Sequence, residues 1–354
     1  MRLSQIDFLR GMAVILVLFR HFKIVPVLYS IGWMGVDLFF VLSGYLVSGL
    51  LFKEYQKFGS IKPGLFLIRR GFKIYPLFYL AIGMTVVINY LLKGSINWSQ
   101  VVPELIFVQN YFKGLWNHTW SLGVEEHFYF LLTFIFFILS VRKKLLHFNT
   151  VLGLVALTIL TCLSFRIYNN YSAPFNYYTH LFNSHIRIDG LMFGVFISFL
   201  HNTQKETFNR IVEGRRTILY CISALLISPV FFFPVSNAYM NTIGLSSLYF
   251  GFGILIAAFV SDEKINEKMA RILSRPGYMA ISKIGFYSYS IYLFHMFIER
   301  YLLTFMEKAG FDFGLVINFA IYFVMSIVTG IVLSTVVEIP FLNMRDKYFP
   351  KRAG

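Results

Sequence analysis

Ten stretches of this 354-residue chain stay apolar for long enough to approach the thickness of a bilayer core, about 30 Å. That repetition constrains the fold more than any other feature. A helix satisfies its own backbone polar groups in lipid, and an open strand cannot. The expected fold class is therefore all-α: a polytopic transmembrane helical bundle of about ten spans. The spans are read at 7–23, 34–52, 74–92, 119–140, 150–166, 185–201, 216–234, 240–260, 284–305 and 314–338. The segment 101–116 is apolar but short and holds Pro103, so it reads as an interfacial or re-entrant piece. Charged residues make up 14% of the chain, against about 25% in a soluble domain. This predicts a single membrane-embedded domain, 1–354, with no fused soluble domain.

The net charge of +15 follows from topology rather than from a nucleic-acid partner. With the N-terminus placed in the cytoplasm, 23 of the 32 Lys and Arg fall in cytoplasmic segments and six outside. That bias predicts an even number of spans with both termini cytoplasmic. Cys162 and Cys221 lie in apolar runs without metal-like spacing and read as core filler. No HxxxH or HExxH pattern occurs, so no metal is implied. The first apolar run, broken by Arg20, His21 and Lys23, does not read as a cleavable signal. No internal repeat supports an inverted-repeat transporter.

Three basic residues remain at depth: Arg10, Arg20 and Arg187. Ionisable groups there are costly and are rarely kept without a use. Arg10 and His21 are eleven residues apart, which at about 100° per residue returns to one helix face with a separation of about 16 Å. Arg20 is turned away. Placing the other polar residues by depth gives two layers. The outer one holds His21, Asp37, Glu125, Glu126, Arg187 and Asp189; the inner one holds Arg10, Arg69, Arg70 and Lys73. Acids, bases and a histidine suit proton transfer. A purely basic layer suits a phosphate-rich ligand. The bland reading stands beside this. Asp37 with Arg187, or Glu125 with a basic neighbour, equally reads as a buried pair fixing helix register. "RRGFKIYP" equally reads as a topological anchor, His295 as a core histidine, and His118 and His127 as outer-surface groups.

The ordered motifs resemble the acyltransferase-3 family of integral membrane O-acyltransferases, of the bacterial surface-polysaccharide O-acetyltransferase type. "LRGMAVILVLFRH" is similar to its Arg-x10-His motif, here Arg10 and His21. "GVDLFFVLSGYL", "FLIRRGFKIYP" with Tyr75 and Pro76, "TWSLGVEEHFY" with Trp120, "RIDGLMFG" and "YSIYLFH" are similar to further family segments. Lys73 stands where the family usually has Arg, and His127 where Gln is common.

The resemblance implies an acyl-CoA donor, acetyl-CoA by first choice, and a carbohydrate acceptor. The coenzyme A phosphates are then expected on Arg69, Arg70 and Lys73, with Arg10 and Tyr75 beside them. His21 is expected as general base, oriented by Asp37, Glu125 or Glu126. Ser43, Trp120, Arg187, Asp189 and His295 are substrate or transition-state candidates. The expected setting is the bacterial inner membrane, with membrane lipid as surroundings and a glycan, lipopolysaccharide O-antigen first, as acceptor. Two other classes fit the polar channel: a transporter or flippase of a lipid-linked sugar or anion, and a non-catalytic scaffold.

Overall fold

The computed structural model describes residues 4–311 and 313–352, and every regular element among them is helical. In chain order these are α1 (Ser4–His21), α2 (Pro26–Ile31), α3 (Met34–Phe58), α4 (Pro63–Lys93), α5 (Trp98–Leu105), α6 (Trp120–Val141), α7 (Phe148–Ser172), α8 (Ile188–Thr203) and α9 (Lys205–Val212). They continue with α10 (Arg216–Ile227), α11 (Leu245–Ser261), α12 (Ile265–Leu273), α13 (Arg275–Phe286), α14 (Ser288–Phe297), α15 (Thr304–Lys308), α16 (Gly314–Leu333) and α17 (Ile339–Tyr348). A π-helical turn, Ile298–Leu303, joins α14 to α15, and another, Ser334–Glu338, joins α16 to α17.

Six described helices are long and apolar enough to cross a membrane, or seven if the bent pair Lys205–Val212 and Arg216–Phe231 counts as one span. The remaining three expected spans fall on different kinds of helix. The one at 7–23 is α1, which carries Asp7, Arg10 and Arg20. The one at 185–201 is α8, only 16 residues long. The one at 284–305 crosses a break at Tyr287 and a π-helical turn.

α3 and α11 are buried over most of their length, whereas α7 and α16 sit at the periphery. The central crossings are made by glycine. A Cβ at Gly44 would fall on the Leu191 carbonyl, and one at Gly194 on the Val41 carbonyl, so α3 and α8 touch backbone to backbone. α1 and α13 meet in the same way through Gly11 and Gly285. In lipid, such small-residue contacts supply packing that the hydrophobic effect does not. The first crossing brings Asp37 on α3 against the start of α8.

Two boundaries differ from expectation. α4 begins at Pro63, eleven residues before the expected span, so Arg69, Arg70 and Lys73 lie on the helix itself rather than in a preceding loop. The 101–116 segment is a short helix ending at Leu105, followed by Phe107 with φ of 59° and a chain that turns back to α6. The loop closes on Glu104, whose Oε1 accepts from the Trp116 amide (3.2 Å) and the Thr119 hydroxyl (2.8 Å). Cys162 is buried as expected, but Cys221 is exposed on α10 rather than core filler.

Candidate active site

Three cavities lie in series through the bundle. The first, ≈310 Å³, is a basic vestibule lined by Arg69, Arg70, Lys73, Arg345, Lys351 and Arg352, with Glu54 as its one acid. The second, ≈100 Å³, is a middle chamber lined by Arg10, Ser43, Arg70, Lys73, Glu125 and Tyr292 among others. It shares Leu46, Val47, Arg70 and Lys73 with the vestibule. The third, ≈270 Å³, holds His21 with Arg20, Trp33, His118, Trp120 and Arg187. Only Val36 and Tyr292 line both it and the middle chamber.

The vestibule is built from α4 and the C-terminal segment. Arg69 pairs with Asp346 at 2.7 Å and also donates to the Phe349 carbonyl, which fastens α17 to α4. Arg352 reaches Glu54 at 3.3 Å. In the sequence, Arg345, Lys351 and Arg352 stand only among the basic residues counted as cytoplasmic. A contact between residues nearly 300 apart carries no local signal.

The middle chamber is organised by Arg70. Its guanidinium donates to the Tyr129 hydroxyl at 2.5 Å and lies 3.4 Å from Glu125 Oε2. Tyr129 donates to the same carboxylate, and Ser43 Oγ donates to its Oε1 at 3.2 Å. Glu125 was expected in the outer layer with His21. It lines the basic chamber instead, where Arg70 of α4 meets it.

Beside His21 stand two more imidazoles. The His21 and His295 ring centroids are 4.9 Å apart, and those of His295 and His118 are 5.0 Å apart. His295 Nδ1 is 2.6 Å from the Tyr292 carbonyl, and His118 Nε2 is 3.2 Å from the Leu293 carbonyl. A carbonyl only accepts, so those nitrogens carry the ring protons. His295 Nε2 and His118 Nδ1 are left buried and without a hydrogen-bond partner. His118, expected at the outer surface, is 5% exposed. The short turn Asn117–Thr119 tucks it inward, and the Tyr292 hydroxyl holds its carbonyl at 2.6 Å.

The expected carboxylate partner of His21 is not found among the described contacts. Asp37 pairs with Arg187, Glu126 accepts from the Tyr75 hydroxyl at 3.1 Å, and Glu125 is held by Arg70, Tyr129 and Ser43. Tyr75, expected near the donor, lines none of the three cavities and instead holds Glu126. Arg20 donates to the Tyr29 carbonyl at 3.0 Å, which ties the end of α1 to α2.

Arg187 anchors the wall of the His21 cavity. It pairs with Asp37, packs 5.1 Å from the Trp120 ring and 5.5 Å from that of Phe40, and keeps its Nε without a partner. Trp120 stacks on Phe182 at 4.8 Å. Asp189 does not enter the site. It pairs with Arg166, which is 1% exposed. Both arginines pack on the Tyr249 ring, 5.7 Å from Arg166 and 5.8 Å from Arg187. The two buried cations and two buried anions thus balance, which offsets the desolvation that any one alone would suffer. A second acid at depth, Asp189, was the available signal that a second base was needed.

A helical bundle with apolar spans, and a series of cavities leading from a cationic mouth to a buried group of histidines, defines a multi-pass membrane protein with a candidate proton-transfer site. The chain belongs to the acyltransferase-3 family: the family model, described as "Acyltransferase domain", matches residues 3–336. Among curated proteins it is similar to "Putative O-acetyltransferase SAR0937" of Staphylococcus aureus strain MRSA252, 24% identical over 98% of this chain and 59% of that protein. It is also similar to "O-acetyltransferase OatA" of S. aureus strain NCTC 8325, 24% identical over 83% of this chain and 50% of that protein. The chain thus spans between half and three-fifths of the length of these relatives. No solved structure matches the chain.

Proposed function

We propose that this chain transfers an acyl group, acetyl by first choice, from acyl-CoA to a hydroxyl of a cell-surface glycan, with His21 as general base. The observation that carries the reading is the series of three cavities, whose cationic end suits phosphates and whose other end holds His21. The orientation follows the charge bias: ten passes in the bacterial inner membrane, both termini and the vestibule cytoplasmic, and His21 toward the outside. Arg69, Arg70, Lys73 and the C-terminal basic residues would hold the phosphates of the donor. Arg10 and Ser43 line the path inward.

His21 takes the proton of the acceptor hydroxyl as its oxygen bonds to the acyl carbonyl carbon. The carbon–sulfur bond breaks, and the proton passes from His21 to the departing thiolate. The products are acylated glycan and free coenzyme A. Arg187, which lines the His21 cavity, would supply a donor for the oxyanion. Lipopolysaccharide O-antigen is the first acceptor to test.

The test is coenzyme A release by the purified protein in nanodiscs, wild type beside His21→Ala, with and without surface-glycan extract. Glycan-dependent release that the variant loses is expected. Movement of a lipid-linked sugar with no consumption of acyl-CoA would instead establish a transporter.

A further inference from the structure

Near the His21 end of the bundle lies a fourth cavity that the proposed chemistry does not use. It measures ≈980 Å³ and is formed by the C-terminal end of α4, the loop after α5, and the α14–α15 region. Its charged lining is lopsided: Lys93, Lys113, Arg300 and Lys308 face a single acid, Glu299. Arg300 is fixed by packing over the Trp116 ring at 4.6 Å, with Tyr301 beside it in the groove. Trp116 is itself held by its indole N–H donating to Thr85 at 2.8 Å. Asn117 lines both this groove and the His21 cavity, and the next residue is His118.

Resting on the acyl-transfer reading, we propose that this groove binds the acceptor and selects a glycan bearing anionic groups, phosphate or carboxylate. Four cations from separate segments of the lining suit a chain that carries several negative charges. The amides of Asn89, Gln100 and Asn117 and the Tyr301 ring suit the hydroxyls and faces of sugars between them. An anionic lipid headgroup shares the charge but not the need for this polar and aromatic lining. The continuity through Asn117 also leads to the proposed base rather than away from it.

The experiment measures binding and turnover separately, in nanodiscs of zwitterionic lipid. The probes are oligogalacturonate and a neutral oligosaccharide of equal length. The proteins are wild type and the variant Lys93→Gln/Lys113→Gln/Lys308→Gln. We expect wild type to bind oligogalacturonate at least about tenfold more tightly than the neutral chain at low salt, and the variant to lose that preference, because several modest surface charge contacts act together. The preference should also shrink as salt rises. Equal binding of both chains by wild type, or an unchanged preference in the variant, overturns the proposal. So does loss of oligogalacturonate binding when anionic lipid is added to the nanodisc, which would assign the groove to headgroups. Anionic-selective binding with no coenzyme A release for any acceptor would leave the groove standing and remove the acyl-transfer reading instead.

Discussion

The imidazole of His295 lies 4.9 Å from that of His21, centroid to centroid, and keeps one buried nitrogen without a hydrogen-bond partner. Its other nitrogen is fixed by the Tyr292 carbonyl, so the tautomer is set by the backbone of its own helix. The neighbour of the proposed base is thus another neutral base rather than a carboxylate.

Two substitutions separate the roles of these rings. His21→Ala should lower kcat by about 10²–10⁴-fold, the range for a positioned general base. His295→Phe keeps a ring of similar size but removes the bare nitrogen. It should lower kcat by about tenfold and leave the KM for acyl-CoA unchanged. A wild-type rate in His295→Phe would reduce His295 to packing.

The Asp37–Arg187 pair has side chains 0% and 2% exposed, so removing either partner strands a buried charge. Asp37→Ala and Arg187→Ala should each cost about 3–5 kcal/mol, read as thermal unfolding in detergent. The apolar double variant Asp37→Leu/Arg187→Met should recover much of the loss. Independent, additive losses would show that the pair is not the unit holding α3 to α8.

At the vestibule, Lys351→Gln and Arg352→Gln should each raise the KM for acyl-CoA by up to about fivefold with little change in kcat. The effect should fade as ionic strength rises. Equal sensitivity at high and low salt would point to packing of the C-terminal segment, which Arg352 also ties to Glu54.

Glu104, in the loop before α6, offers a pH signature. Burial pushes its carboxyl from the ordinary 4.5 up to about 7, against the opposing pull of the hydrogen bonds from Thr119 and Trp116. The folded protein therefore holds this proton where the unfolded chain has lost it. The associated stability is fully present below pH 4.5 and is lost as pH rises through about 7. The unfolding temperature of wild type should fall across that interval, and Glu104→Gln should remove this part of the slope.

Much of this was legible before the fold was known. Eleven-residue spacing put Arg10 and His21 on one face, and the structure leads from one to the other through two adjoining cavities. Asp37 with Arg187 was foreseen as a pair and is one. What failed was lateral placement. Depth along a helix follows from counting residues, but which neighbour a side chain meets depends on rotation and on helix contacts that no periodicity encodes. The basic neighbour expected for Glu125 is Arg70, which takes it away from His21, and His118, on a turn without helical period, moved from the surface to the core. Three of the ten expected spans do not stand out by length and apolarity alone. α1 carries three charges and α8 has only 16 residues, yet each packs closely against another helix through glycine.

The partition of Val36 and Tyr292 between the two inner cavities has a bioenergetic side. Under the proposed orientation, an open path from the vestibule to the opposite face would be a proton leak, each charge dissipating about 2.3 kcal/mol per 100 mV of membrane potential. One valine and one tyrosine, the latter anchored to the His118 carbonyl, stand where such a leak would run. Under that orientation, the junction at Val36 and Tyr292 would have to admit the acyl group without admitting a continuous file of water.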